Sequence, residues 1–144
     1  MINYSEILIE KINKSHWWHV PPQDPGAYKK RGKFLASTYS QAEFYGRPQD
    51  VAERVQISNP LWSDSELEIL KILFPDSYQE KHDAVISADD HDYYEQRITL
   101  DRQMYERAKE LGYDAIVLLG STGIRELAKN RKPRSIELNL CLQT

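Results

Sequence analysis

The run Gly32 to Tyr45, Gly-Lys-Phe-Leu-Ala-Ser-Thr-Tyr-Ser-Gln-Ala-Glu-Phe-Tyr, constrains this chain most, because it reads as a short strand emptying straight into a helical turn. Lys33 to Ser37 sets Phe34 and Ala36 on one face and Leu35 on the other. It is too short for a helix and carries an aromatic, as a half-buried strand does. Ser40 is the expected N-cap of a turn over Gln41 to Tyr45, stopped by Gly46 and Pro48. A strand ending in Ala-Ser, a capped turn and paired aromatics can build a shelf for a planar ring. The same residues also suit a strand and helix that pack their aromatics into the core.

Around this run, Tyr4 to Asn13 reads as a helix and His16 to Val20 as a short strand closed by Pro21-Pro22. Two histidines three apart on a strand, His16 and His19, face opposite sides, so no metal site is expected. Gln23 to Arg31, with Tyr28, Lys29 and Lys30, is a polar loop. Val51 to Ile57 alternates as a strand, and Asn59-Pro60-Leu61 is expected to turn the chain off the sheet. Ser63 and Glu66 form a capping box for a helix over Asp64 to Phe74, with Leu67, Leu70, Ile72 and Leu73 inward.

Asp76 to Arg97 has weak periodicity and suggests an acidic insertion over the sheet. From Leu100 a helix is clearer, with Met104, Tyr105, Ala108 and Leu111 on one face and Gly112 as its left-handed stop. A buried strand runs to Leu119, a connector spans Gly120 to Ser135, and a last strand alternates Ile136, Leu138, Leu140 and Leu142 against Glu137, Asn139 and Cys141.

At 144 residues the expectation is a single domain, 1–144, with an ordinary hydrophobic core. Cys141 is the only cysteine, which excludes an intramolecular disulfide and a thiolate metal cluster and points to a reducing, cytoplasmic setting. No apolar run approaches the roughly 18 residues that span a bilayer, so no membrane association is expected. Net charge is -3 but uneven. Between Asp76 and Asp101 eight acids face Lys81 and Arg97, whereas Arg125, Lys129, Arg131, Lys132 and Arg134 face only Glu126. Such runs are solvated faces or partner-binding surfaces.

Five blocks, 17–20, 32–45, 55–61, 112–119 and 135–142, resemble in order the diphtheria-toxin and poly(ADP-ribose) polymerase-like ADP-ribosyltransferases. Trp18-His19 resembles the family's aromatic-His on the first strand, with Val20-Pro21 where Gly-Thr/Ser is usual. Gly32, Phe34, Leu35 and Ala36, then Ser40, Ala42 and Phe44 or Tyr45, resemble the segment that floors the nicotinamide pocket. Ser-Ile-Glu-Leu-Asn-Leu at 135–140 resembles the strand that begins with the catalytic Glu. His19 and Ser135 stand where the arginine-modifying enzymes carry Arg and Glu/Gln, so the His-Tyr-Glu type fits better, with Phe34 in place of its Tyr.

The resemblance implies an α+β fold, with split or bent antiparallel sheets of six or more strands around a central NAD cleft and helices outside. It implies a small bacterial or phage toxin or effector that uses NAD, without metal, as a mono-ADP-ribosyltransferase. Glu137 would be the catalytic carboxylate. His19, Gly32, Phe34, Ala36, Ser37, Tyr39, Ser40, Phe44 and Tyr45 would line the cofactor site, with the stacking aromatic open between Tyr39, Phe44 and Tyr45. Arg125, Lys129, Arg131, Lys132 and Arg134 would meet the acceptor, an acidic protein surface or a nucleic acid. Two other readings are a non-catalytic module gripping an acidic partner through this basic loop, and an RNA 2'-phosphotransferase-like enzyme.

Overall fold

Asn3 opens α1 (Tyr4–Lys14) by accepting the Glu6 N–H on its side chain, and the helix buries Leu8 and Ile12. The computed structural model describes residues 3–21, 31–43 and 46–141. After α1 come β1 (Trp18–His19), β2 (Lys33–Ala36) and the short α2 (Tyr39–Glu43). Then follow β3 (Pro60–Ser63), α3 (Glu66–Leu73), α4 (Tyr78–Ile86) and α5 (Tyr93–Glu110). β4 (Ala115–Leu119), α6 (Gly123–Ala128) and β5 (Ile136–Leu140) complete the α+β architecture.

The strands form one sheet in the order β1-β2-β5-β4-β3. Its pairings are antiparallel except the last, where β3 runs parallel to β4. Among the described residues the sheet has five strands, rather than six or more in a wholly antiparallel arrangement. A parallel pair needs a long crossover, and α3 to α5 supply it. Pro60 is tolerated because, among the described residues, β3 is an edge strand that pairs only with β4. Asn59-Pro60 therefore leads the chain onto the sheet, not off it.

Each face is covered differently. On one, Leu35, Ala115, Val117, Leu119, Ile136 and Leu138 pack against α1, α6 and Trp17. On the other, Leu61, Ile116 and Cys141 pack against α3, α4 and α5. Arg97 ties two of these helices together by a bidentate pair to Glu66 at 2.8 Å, and it also bonds Asp101 at 2.7 Å. Burial pushes the Asp101 carboxyl up, against the pull of Arg97.

Several local expectations change. Val51 to Ile57 forms no ladder of its own. Glu53 bridges Trp17, and both backbone groups of Ile57 pair with the Asn13 side chain. A single backbone bridge and one side chain thus stand in for a ladder, although Val55 and Ile57 are buried as their alternation implies. Ser65, not Ser63, caps α3, which buries Ile69, Leu70 and Leu73 and leaves Ile72 exposed. α5 begins at Tyr93, earlier than Leu100, and Leu111 is exposed. Gly112 does stop it, at φ 88°.

Asp114 staples the parallel edge. Its carboxylate accepts the Ser58 and Asn59 N–H groups at 2.7 and 3.0 Å, while the Asn59 side chain donates to the Gly112 carbonyl at 2.9 Å. The Asn-Pro and Gly-Tyr-Asp motifs are thus two halves of one junction.

Candidate functional site

Glu137 pairs in register with Ala36 on β2 and Leu118 on β4, and Ala36 pairs in turn with Trp18. Directly paired residues share a face, so Trp18, Ala36, Glu137 and Leu118 form one row across the sheet. The next row on that face holds Phe34, Asn139 and Ile116. Glu137 is exposed, and Phe34 is 44% exposed. Beside them Tyr39 meets Trp18 edge to face, centroids 5.2 Å apart and planes at 86°. A carboxylate, a small residue and the Trp18-Tyr39 pair therefore lie on one face at the end of the sheet where β2 finishes and β5 starts, with Phe34 one row away on the same face.

His19 is not in this group. It pairs with Leu35, which pairs with Leu138, so it lies on the opposite face and is buried. Its Nδ1–H donates to the Phe34 carbonyl at 2.8 Å, which ties β1 to β2. The residue of the aromatic-His pair that shares a face with Glu137 is Trp18.

Gly32 is required by the backbone. At φ 83° it lies where a Cβ would run into the Asn139 Oδ1 and stand 2.6 Å from the Leu140 carbonyl. It shapes the floor of the second row and touches no open surface. Ser37 is held by Gln41, the hydroxyl donating to Gln41 Oε1 at 2.8 Å. The cap of α2 is Thr38, whose Oγ1 accepts the Gln41 N–H at 3.1 Å. Ser40 lies within the helix and exposed, because the helix starts at Tyr39. Phe44 and Tyr45 lie outside the described residues, as do Tyr28, Lys29 and Lys30.

The basic connector divides. Arg125, Lys129, Arg131 and Arg134 are exposed, whereas Lys132 is half-buried with its ammonium 5.0 Å from the centre of the Trp17 ring. Burial holds the Lys132 pKa below its ordinary value. Glu126 organises the loop by accepting the Thr122 hydroxyl at 2.6 Å and the Arg134 N–H at 3.1 Å. Those bonds and the nearby Arg134 and Arg131 charges hold its carboxyl below the usual range. The Arg134 carbonyl lies 3.4 Å from the Ser37 hydroxyl, so the connector ends beside β2.

Among the described residues no group of three His, Cys, Asp or Glu side chains is placed to hold a metal ion, and no helix is long and apolar enough to cross a membrane. A shallow groove between α4 and α5, lined by Glu80, Lys81, Gln96 and Gln103, contains none of the residues expected at the site. No family model, no curated protein and no solved structure matches the chain.

Proposed function

We propose that the Trp18-Ala36-Glu137 row is the reaction centre of an NAD-dependent mono-ADP-ribosyltransferase of the diphtheria-toxin and poly(ADP-ribose) polymerase-like type. The observation that carries this reading is the exposed Glu137 carboxylate on the same sheet face as Phe34 and the Trp18-Tyr39 pair. A planar nicotinamide suits the aromatic side of that patch, and Glu137 suits the ribose. As the bond between nicotinamide nitrogen and ribose C1' breaks, its electron pair leaves with nicotinamide and positive charge grows on the ribose. A carboxylate there stabilises the transition state more than bound NAD, and it also accepts the 2'-hydroxyl proton in a hydrogen bond. The acceptor nucleophile then bonds C1' and releases its proton. Neither a metal nor an enzyme nucleophile enters this sequence.

The reading rests on Glu137, Trp18, Tyr39 and Phe34, not on His19, which supports it only by holding β1 against β2. Arg125, Lys129, Arg131 and Arg134 are the cations that stand ready for an acidic protein surface or nucleic acid as acceptor. The test is nicotinamide release from NAD, with and without cell lysate. Glu137→Gln keeps the size of the side chain and removes its charge, so turnover should fall by roughly 10²-fold or more while NAD affinity holds. Equal turnover in both proteins would sink the proposal. No release at all would favour the binding module, for which the buried, opposite-facing His19 already speaks.

A further inference from the structure

We infer that Gln41 is a positioning residue for Glu137, a role that rests on reading Glu137 as the reactive carboxylate. The backbone pairing of β2 with β5 ends at Ala36 and Glu137. One step further out stand the Ser37 N–H on one side and the Ile136 carbonyl on the other. The Gln41 carboxamide fills the gap between them. Its Oε1 lies 3.3 Å from the Ser37 nitrogen and accepts from it, and its Nε2 donates to the Ile136 carbonyl at 3.4 Å and the Ser135 hydroxyl at 3.5 Å.

A carboxamide has the same donor and acceptor as a peptide, so Gln41 acts as a detached peptide group that adds one rung to the ladder. The Ile136 carbonyl belongs to the peptide that carries the Glu137 N–H, and fixing its orientation fixes the direction in which Glu137 leaves the strand. Gln41 is set from its own side before it reaches across. The Ser37 hydroxyl donates to it at 2.8 Å, against 3.4 and 3.5 Å on the β5 side, and Thr38 holds its N–H. The arm is preset by α2 and the rung closes onto it.

Three variants test this. Gln41→Met keeps the bulk and removes both polar atoms, Gln41→Glu keeps the acceptor toward Ser37 and loses the donor toward Ile136, and Ser37→Ala removes the anchor. In Gln41→Met the Ser37 amide should exchange with solvent about tenfold faster, and the Glu137 amide resonance should move. In Gln41→Glu only the Glu137 side of the rung should respond. Nicotinamide release should lose about tenfold in kcat in both, with KM for NAD within about twofold, because a misaimed carboxylate costs turnover more than binding. Unchanged exchange at Ser37 with an unmoved Glu137 resonance overturns the rung, whatever the activity. If wild-type protein releases no nicotinamide, the functional reading fails while these resonances still decide the rung. If Gln41→Met does not fold, Ser37→Ala must move the same two amides, and its failure to do so overturns the rung equally.

Discussion

Glu137 and Asn139 stand two residues apart on β5 and face the same side of the sheet, yet their surroundings are opposite. Asn139 is 5% exposed beneath Gly32, its Nδ2 donates to the Arg31 carbonyl at 2.9 Å, and its buried Oδ1 has no hydrogen-bond partner among the described residues. Glu137 is exposed, beside Trp18 and Ala36. The pleat places both on one face, but the packing over that face decides which is buried and which is open to solvent. α5 reaches the Asn139 row through Tyr105, whose ring would lie 3.0 Å from a Cβ at Gly32.

The largest test of this contrast is Gly32→Ala. A side chain at φ 83° is strained, and its methyl would strike the Asn139 side chain and the Leu140 carbonyl. Denaturant unfolding should show a loss of about 3 kcal/mol or more. Next, Asn139→Ala leaves the Arg31 carbonyl unpaired and a gap below Gly32, costing about 1–3 kcal/mol. Glu137→Ala should change stability by no more than about 0.5 kcal/mol. Equal costs for the two would break the comparison.

A further effect, read only in alkali, concerns Cys141, on the covered side. Burial, with the Asp114 charge adding to it, pushes this thiol up from 9.0 to about 12. The folded chain should resist a thiol reagent at pH 8 and react once unfolded in urea. The linkage runs downhill with alkali. A raised folded pKa gives stability present below pH 9.0 and lost as pH climbs toward about 12, because only the unfolded thiol ionises in that window. A decline in urea midpoint that steepens across that range, absent in Cys141→Ala, checks it.

What the residues reveal on their own follows from how local each pattern is. The alternation of Ile136 to Leu140 and the stop at Gly112 are written within a few residues; the strand and the stop both form, although Asn139 and Cys141 on the second side are buried too and Leu142 lies outside the described residues. The early start of α5 is hidden because Tyr93 and Tyr94 are both exposed, leaving its first turn without an inward stripe. Val51 to Ile57 carries a strand pattern whose pairing depends on Asn13, 44 residues away in sequence at Ile57. The site divides in the same way. The facing of Glu137 is legible from its own strand, but β1 is two residues long, so choosing between Trp18 and His19 depends on its register with β2. Gln41 looks like any polar helix residue until Ile136 is brought beside it.

The Asp114 staple bears on the order in which the chain assembles. It joins residues 55 apart, and closing a loop of that length costs roughly 3–4 kcal/mol in its length-dependent part. The antiparallel pair of β4 and β5 and the α4-α5 hairpin need shorter excursions, so they are expected to assemble first. The parallel β3 edge should then dock after them, once the helices have drawn its ends together. A nick in the exposed turn between α4 and α5 would then leave two pieces still joined at the staple, but refolding from separate pieces would have to recover that junction by collision rather than by closure.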